Sequence, residues 1–153
     1  MTSPTARNTK AALPYVPCGT SITDVERMSR AFTKFHLSDG RALHRFSAAE
    51  SHMDPHCHPW SFTSDVLAGG YVEEVFNFDA SGWRSALINR APGTTHHVPA
   101  AHIHRIVELP MGVCWTLVKA GPAEREVRFW RFSDRIVSRA WHSRSWIEVI
   151  VRP

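Results

Sequence analysis

The chain has little from which to build covalent or membrane-borne structure. Only three of its 153 residues are cysteine, Cys18, Cys57 and Cys114, an odd number at wide spacing. That fits reduced thiols in a cytoplasmic protein better than a disulfide framework. No run approaches the ~20 apolar residues that cross a bilayer, and the polar opening MTSPTARNTK lacks the apolar core of a secretory signal, so no membrane partner is expected. Lysine is scarce, since 15 of the 18 basic residues are arginine. The arginines are scattered, with a mild concentration from Arg125 to Arg144, and the formal charge is only +4. A solvated basic face with a weak pull on anionic ligands follows, and no nucleic-acid patch. No Ser/His/Asp grouping, glycine-rich phosphate loop or internal repeat is present.

Apolar residues make up 43% of the chain, with 6 Trp and 8 Phe, enough for one well-filled core and short for two. Residues 1–41 read as an irregular, proline-bearing arm followed by a helix. Ser21 or Thr23 would cap it, and Val25, Met28, Phe32 and Phe35 recur at near-helical spacing in DVERMSRAFTKF. SDG at 38–40 ends that segment. From about Leu43 the texture changes to short runs bounded by Gly, Pro and Asp, predicting strands near 42–48, 55–58, 61–68, 71–78, 84–90, 94–98, 103–109, 113–119 and 125–132. Turns are expected at Gly69-Gly70, 80–82, Pro92-Gly93, 110–112 and Gly121-Pro122. The class is all-β, a sandwich or small barrel over 42–132. Residues 133–153, with Trp141, Trp146, Ile147 and Val149, read as an aromatic segment packed on the barrel or on a second copy in a homodimer.

The chemistry concentrates in histidine. His56 and His58 flank Cys57 in DPHCHPW, and His104 follows His58 by 46 residues. On a strand, residues i and i+2 share a face, so His56 and His58 can offer both imidazoles to one ion, with His104 closing the site from another strand. Neutral imidazole suits iron, zinc, nickel or copper. His102 shares a face with His104 and is a possible extra ligand, while His96 and His97 sit on the preceding strand. Glu73 and Glu74 are the nearest carboxylates; a solvated charge is their default reading, with Glu73 a possible extra ligand. Cys57 and Cys114 read as small core residues.

These residues resemble the motifs of the cupin superfamily. Its first motif is a His-x-His pair, a Glu four residues on and a Gly seven beyond; here His56, His58 and Gly69 are in register and Phe62 occupies the Glu position. Its second motif, Pro-x-Gly-x-x-His, is matched by Pro99, Ala101 in place of Gly, and His104. The run HPWSFTSDVLAGGYVEE also resembles small bacterial and phage cupins with a His-Pro-Trp start and a Gly-Gly-Tyr turn. The resemblance covers residues 42–132 and implies a double-stranded β-helix, the jelly-roll barrel, with a short N-terminal helix outside it. Loss of the Glu implies a three-histidine site akin to those of the thiol dioxygenases and the β-diketone dioxygenase, with iron(II) the foremost cofactor and zinc, nickel, manganese or copper as alternatives. The cysteine that some thiol dioxygenases cross-link to tyrosine has no counterpart at Phe62 or Thr63, which disfavours a thiol substrate.

If the strand continues past Pro59, Trp60, Phe62 and Ser64 point with the histidines, Phe62 as a dry wall and Ser64 as a hydrogen-bonding group. Arg45 and Arg90 are the guanidiniums expected to hold an anionic substrate; Arg105 should face away, and Tyr71 should pack. The expectation is an iron(II) oxygenase, of dioxygenase type, acting on a small anionic chelating molecule. A non-catalytic binding or sensing module, and a Lewis-acid isomerase or lyase, are the alternatives.

Overall fold

The computed structural model describes residues 13–152, and the first twelve residues of the expected arm lie outside that range. Every regular element among the described residues is a strand. In chain order they are β1 Ile22–Arg27, β2 Phe32–Leu37, β3 Ala42–Phe46, β4 Trp60–Ala68, β5 Tyr71–Asp79, β6 Gly82–Arg90, β7 Thr95–Val98, β8 Ile103–Glu108, β9 Cys114–Ala123, β10 Arg128–Phe132, β11 Ile136–Ala140 and β12 Ile147–Glu148.

One antiparallel sheet runs β1-β2-β3-β9-β4-β7. A second runs β6-β5-β8, and a third group runs β10-β11-β12. The segment around His56 stitches these last two together. His56 and His104 exchange both backbone bonds, at 2.9 and 3.1 Å, while Cys57 N–H donates to Arg128 and Trp130 N–H donates to Pro55. Pro55 and Pro59 bracket this stretch and cannot donate, which limits the expected 55–58 strand to isolated bridges on His56. The two sheets face one another: Val66 of β4, Tyr71 of β5 and Cys114 of β9 share a cluster with Phe46 and Ile106. The expected all-β jelly roll is what this strand order describes.

Alternation sorts the side chains. On β9, Trp115 and Leu117 face outward into a cluster with Leu37 and Leu43, onto which Leu13, Tyr15 and Val16 pack. Cys114, Thr116 and Val118 face the interior with Ser64 and Val66, as the β4–β9 register requires. Outside the second sheet, Phe76 and Ile103 meet Trp130 of β10 and Cys57, with Phe78, Phe132, Ile136 and Val149 around them. The C-terminal segment closes on this cluster: β12 pairs with β11, and the guanidiniums of Arg131 and Arg139 lie 4.1 and 5.2 Å from the Trp146 ring.

Two sequence expectations are corrected. The helix over 24–35 is a hairpin of β1 and β2. Ser29 Oγ accepts the N–H groups of Ala31 and Phe32, a local bond that competes with helix formation, and β2 then pairs along β3. The apolar spacing that mimicked a helix is divided between two strands. Likewise, Gly121-Pro122 is no turn, because β9 continues to Ala123 across a register shift opposite Trp60 and Phe62. A bulge tolerates the proline, which could not sit in a regular ladder.

The Gly69-Gly70 turn joining β4 to β5 is sterically fixed. Gly69 has φ +78° and a Cβ there would overlap the Val113 carbonyl, whereas Gly40, at φ +84°, has open space around it. Gly69→Ala should therefore cost at least ~2 kcal/mol in urea unfolding, clearly more than Gly40→Ala. Equal losses at the two positions would refute the packing argument.

Candidate metal centre

The three histidines of the two motifs meet in the interior. His56 and His58, two residues apart between prolines, place their ring centroids 5.3 Å from each other and 5.2 and 4.9 Å from that of His104. One nitrogen from each ring falls in a common group with all atoms within 4.8 Å. His104 Nε2 and His58 Nε2 lie 3.2 Å apart. Ligand nitrogens bound at about 2.0–2.1 Å to one ion stand roughly 3.0–3.4 Å apart, so the donor set fits a metal of borderline softness.

The protonation states suit the same role. Burial, reinforced by His104 and His102, lowers the His56 pKa to about 3. Burial also holds His58 far below the usual imidazole range. His104 is lowered by burial too, against the opposing pull of Glu73. All three are neutral near pH 7, the form a metal requires.

Glu73 departs most from its sequence reading. It is 1% exposed, not a solvated charge. Oε2 accepts from His104 Nδ1 and, at 3.0 Å, from His102 Nε2, while Oε1 accepts from Arg90 Nε at 2.6 Å. Burial alone would raise its pKa, but the bonds from His102 and His104, with that from Arg90, outweigh it and keep the group ionised. Glu73 thus stands behind His104, on the side away from His58. Glu74 points outward to Arg105 and Ser85.

The other expected residues divide. Phe62 sets its ring edge-on to His58 at 5.0 Å. Ser64 is buried on β4 opposite His96. Trp60 opens β4 beside the register shift, opposite Ala123, and the ring that meets His58 is Phe62. Arg45 is corrected: it is exposed and lies over the outward Trp115 ring at 5.9 Å. The β3–β9 register decides this, pairing Arg45 with Trp115 and placing His44, opposite Thr116, on the interior face. Arg90 does enter the interior, through its bond to Glu73. Tyr71 is buried, with its hydroxyl 3.1 Å from His96 Nε2. Sequence reasoning missed Phe129, which bridges His56 and holds its ring 6.2 Å away; it is distant in sequence and carries no motif. Surface grooves lined by Trp130 and Phe76 lie outside the second sheet.

No family model matches the sequence, and no curated protein matches it. Solved structures do. Hydroxypropylphosphonic acid epoxidase from S. wedmorenis is 11% identical, with a TM-score of 0.46 over 62% of this chain and 53% of that one. An oxalate oxidase is 16% identical, with a TM-score of 0.46 over 80% and 61%. The polyketide cyclase RemF from Streptomyces resistomycificus is 22% identical, with a TM-score of 0.47 over 74% and 85%. This chain therefore spans less than two thirds of the first two. Its own strand order and interior define the class: an all-β jelly roll carrying a histidine group able to hold a metal. Among the described residues no helix is long and apolar enough to cross a membrane.

Buried neutral histidines make metal-free protein acid-sensitive. Burial, then the charges of Lys34 and His36, lower the His44 pKa to about 3, as burial does for His56. The unfolded chain, titrating near 6.5, takes up these protons first, so stability is complete above pH 6.5 and declines towards pH 3. Urea unfolding of chelator-treated protein should show this decline. His44→Leu should flatten it by up to ~1.4 kcal/mol per pH unit; a pH-independent midpoint from 7.5 to 5 would contradict it.

Proposed function

We propose that this protein binds iron(II) through His56, His58 and His104 and is an oxygenase of small anionic molecules that chelate the metal. The observation that carries the reading is the convergence of three neutral imidazoles, with His58 and His104 presenting Nε2 atoms 3.2 Å apart. When bound, iron(II) on three imidazoles supplies open coordination positions and electron transfer towards dioxygen. The chain supplies the rest. Phe62 gives His58 an apolar flank that excludes water. His56 and His58 are only half-buried, which leaves a path to the site. Three neutral ligands leave the ion's charge uncompensated by any direct carboxylate, and an anionic chelator answers that charge.

Elemental analysis of untagged protein tests this. Near-stoichiometric metal in the wild type, lost in both His58→Ala and His104→Ala, is expected. Iron(II)-loaded protein should then consume oxygen with members of a panel of small chelating carboxylates. Absence of metal after anaerobic iron(II) reconstitution, or metal unchanged in the variants, would overturn the reading. Metal retained without oxygen uptake would leave a binding module or Lewis-acid enzyme in its place.

We also propose a homodimer formed through the C-terminal segment, supported by the exposure of Trp141, Ile147 and Ile150 at 62%, 56% and 82%. Light scattering should report twice the 17.3 kDa chain mass, reverting to monomer in Trp141→Ser/Ile150→Ser. A monomeric wild type would exclude it.

A further inference from the structure

Glu73, His102 and His104 form a second group of donor atoms close enough together to suggest a metal site. The surroundings argue against a cation there. Arg90 Nε already donates to Glu73 Oε1 at 2.6 Å, and Oε2 is engaged by both imidazoles. A second cation would meet a fixed guanidinium and would have to remove the His104 Nδ1 proton.

The same geometry gives Glu73 a different role. His104 has two ring nitrogens with opposite tasks: Nε2 faces His58, and Nδ1 donates to a buried carboxylate. A carboxylate on the far nitrogen fixes the tautomer that leaves Nε2 as a lone pair, orients the ring and makes it a stronger donor. His58 has no such support, since its Nδ1 is buried without a partner. The electronic asymmetry between the two ligands is therefore built into the chain.

We propose that Glu73 is a positioning residue that delivers anionic charge to the metal through His104. This rests on the metal-binding reading above. Arg90 holds the carboxylate in place from its other oxygen, so the ring is oriented before any ion arrives.

The test compares wild type, Glu73→Gln, the charge-balanced Glu73→Gln/Arg90→Gln, Glu74→Gln and His58→Ala. Cobalt(II) and iron(II) affinities are read by chelator competition, and the iron(III)/iron(II) potential by redox titration, with circular dichroism on every variant. Glu73→Gln should bind metal roughly ten- to hundredfold more weakly. Its potential should rise, because loss of the anion disfavours the ferric state, and the cobalt visible bands should shift. Glu74→Gln, whose carboxylate faces outward, should keep wild-type affinity and potential. If the single variant does not fold, the double variant, which leaves no lone buried charge, carries the comparison. A folded variant lacking Glu73 with wild-type affinity and potential would overturn the proposal. Wild type binding no more metal than His58→Ala would overturn the metal-binding reading as well, so the two failures are distinguishable.

Discussion

A carboxylate removed from water has to be answered by hydrogen bonds, and Glu73 is answered by three groups from different parts of the chain. Arg90 lies 17 residues away, His102 29 and His104 31. An ionised group left alone in such a place costs several kcal/mol, and breaking a buried pair typically costs about 3–5 kcal/mol. The register of β5 against β6 and β8 is therefore constrained by chemistry as well as by backbone pairing. A one-residue slip would turn Glu73 outward and Glu74 inward, away from Arg90 and His104.

A polar interior is tolerable because the apolar work is done elsewhere. Leu43, Leu37, Trp115 and Leu117 pack outside the first sheet under the 13–16 segment. Phe76, Ile103 and Trp130 pack outside the second. Between the sheets the apolar cluster is small, built on Val66, Tyr71 and Cys114, and beside it lie His44, His58, His96, His102 and His104. Both outer layers use segments beyond the 42–132 barrel. The edge strand β1, exposed along its length, carries Asp24, Glu26 and Arg27, charges that discourage pairing with another edge.

What could be read from the sequence was what depends on local pattern. Strand β5 is visible in YVEEVFNF because Tyr71, Glu73 and Val75 alternate onto one face, and all three are buried. That parity already hinted that Glu73 was not the solvated member of its pair, but the residues answering it are long-range partners that one strand cannot reveal. Arg45 shows the converse. ALHRF offers no clean alternation, and only pairing with β9 shows that Leu43 and Arg45 face out while His44 faces in. The β1–β2 hairpin was hidden because apolar residues on two strands imitated helical spacing, and one serine hydroxyl at the turn distinguished the cases. His56, His58 and His104 needed only strand parity and two short motifs.

The histidine group is organised from one side. His56 is fixed through its backbone, bonded to His104 on one edge and bridged to Phe129 on the other. His104 is fixed through its ring by Glu73, and Glu73 by Arg90. His58 is held by its backbone N–H, bonded to Ala100, and by the edge-on Phe62 ring, with no hydrogen bond to its outer nitrogen. Neither the His56 ring nor the outer nitrogen of His58 has a hydrogen-bond partner among the described residues, so both rings are less constrained by polar contacts than that of His104, and His58 flanks the apolar Phe62 ring. The freedom in this group therefore lies in the His56 and His58 rings, while the Arg90–Glu73–His104 chain is held in place by its hydrogen bonds. Rigidity on one side and freedom on the other follow from where the interior places the buried carboxylate of Glu73.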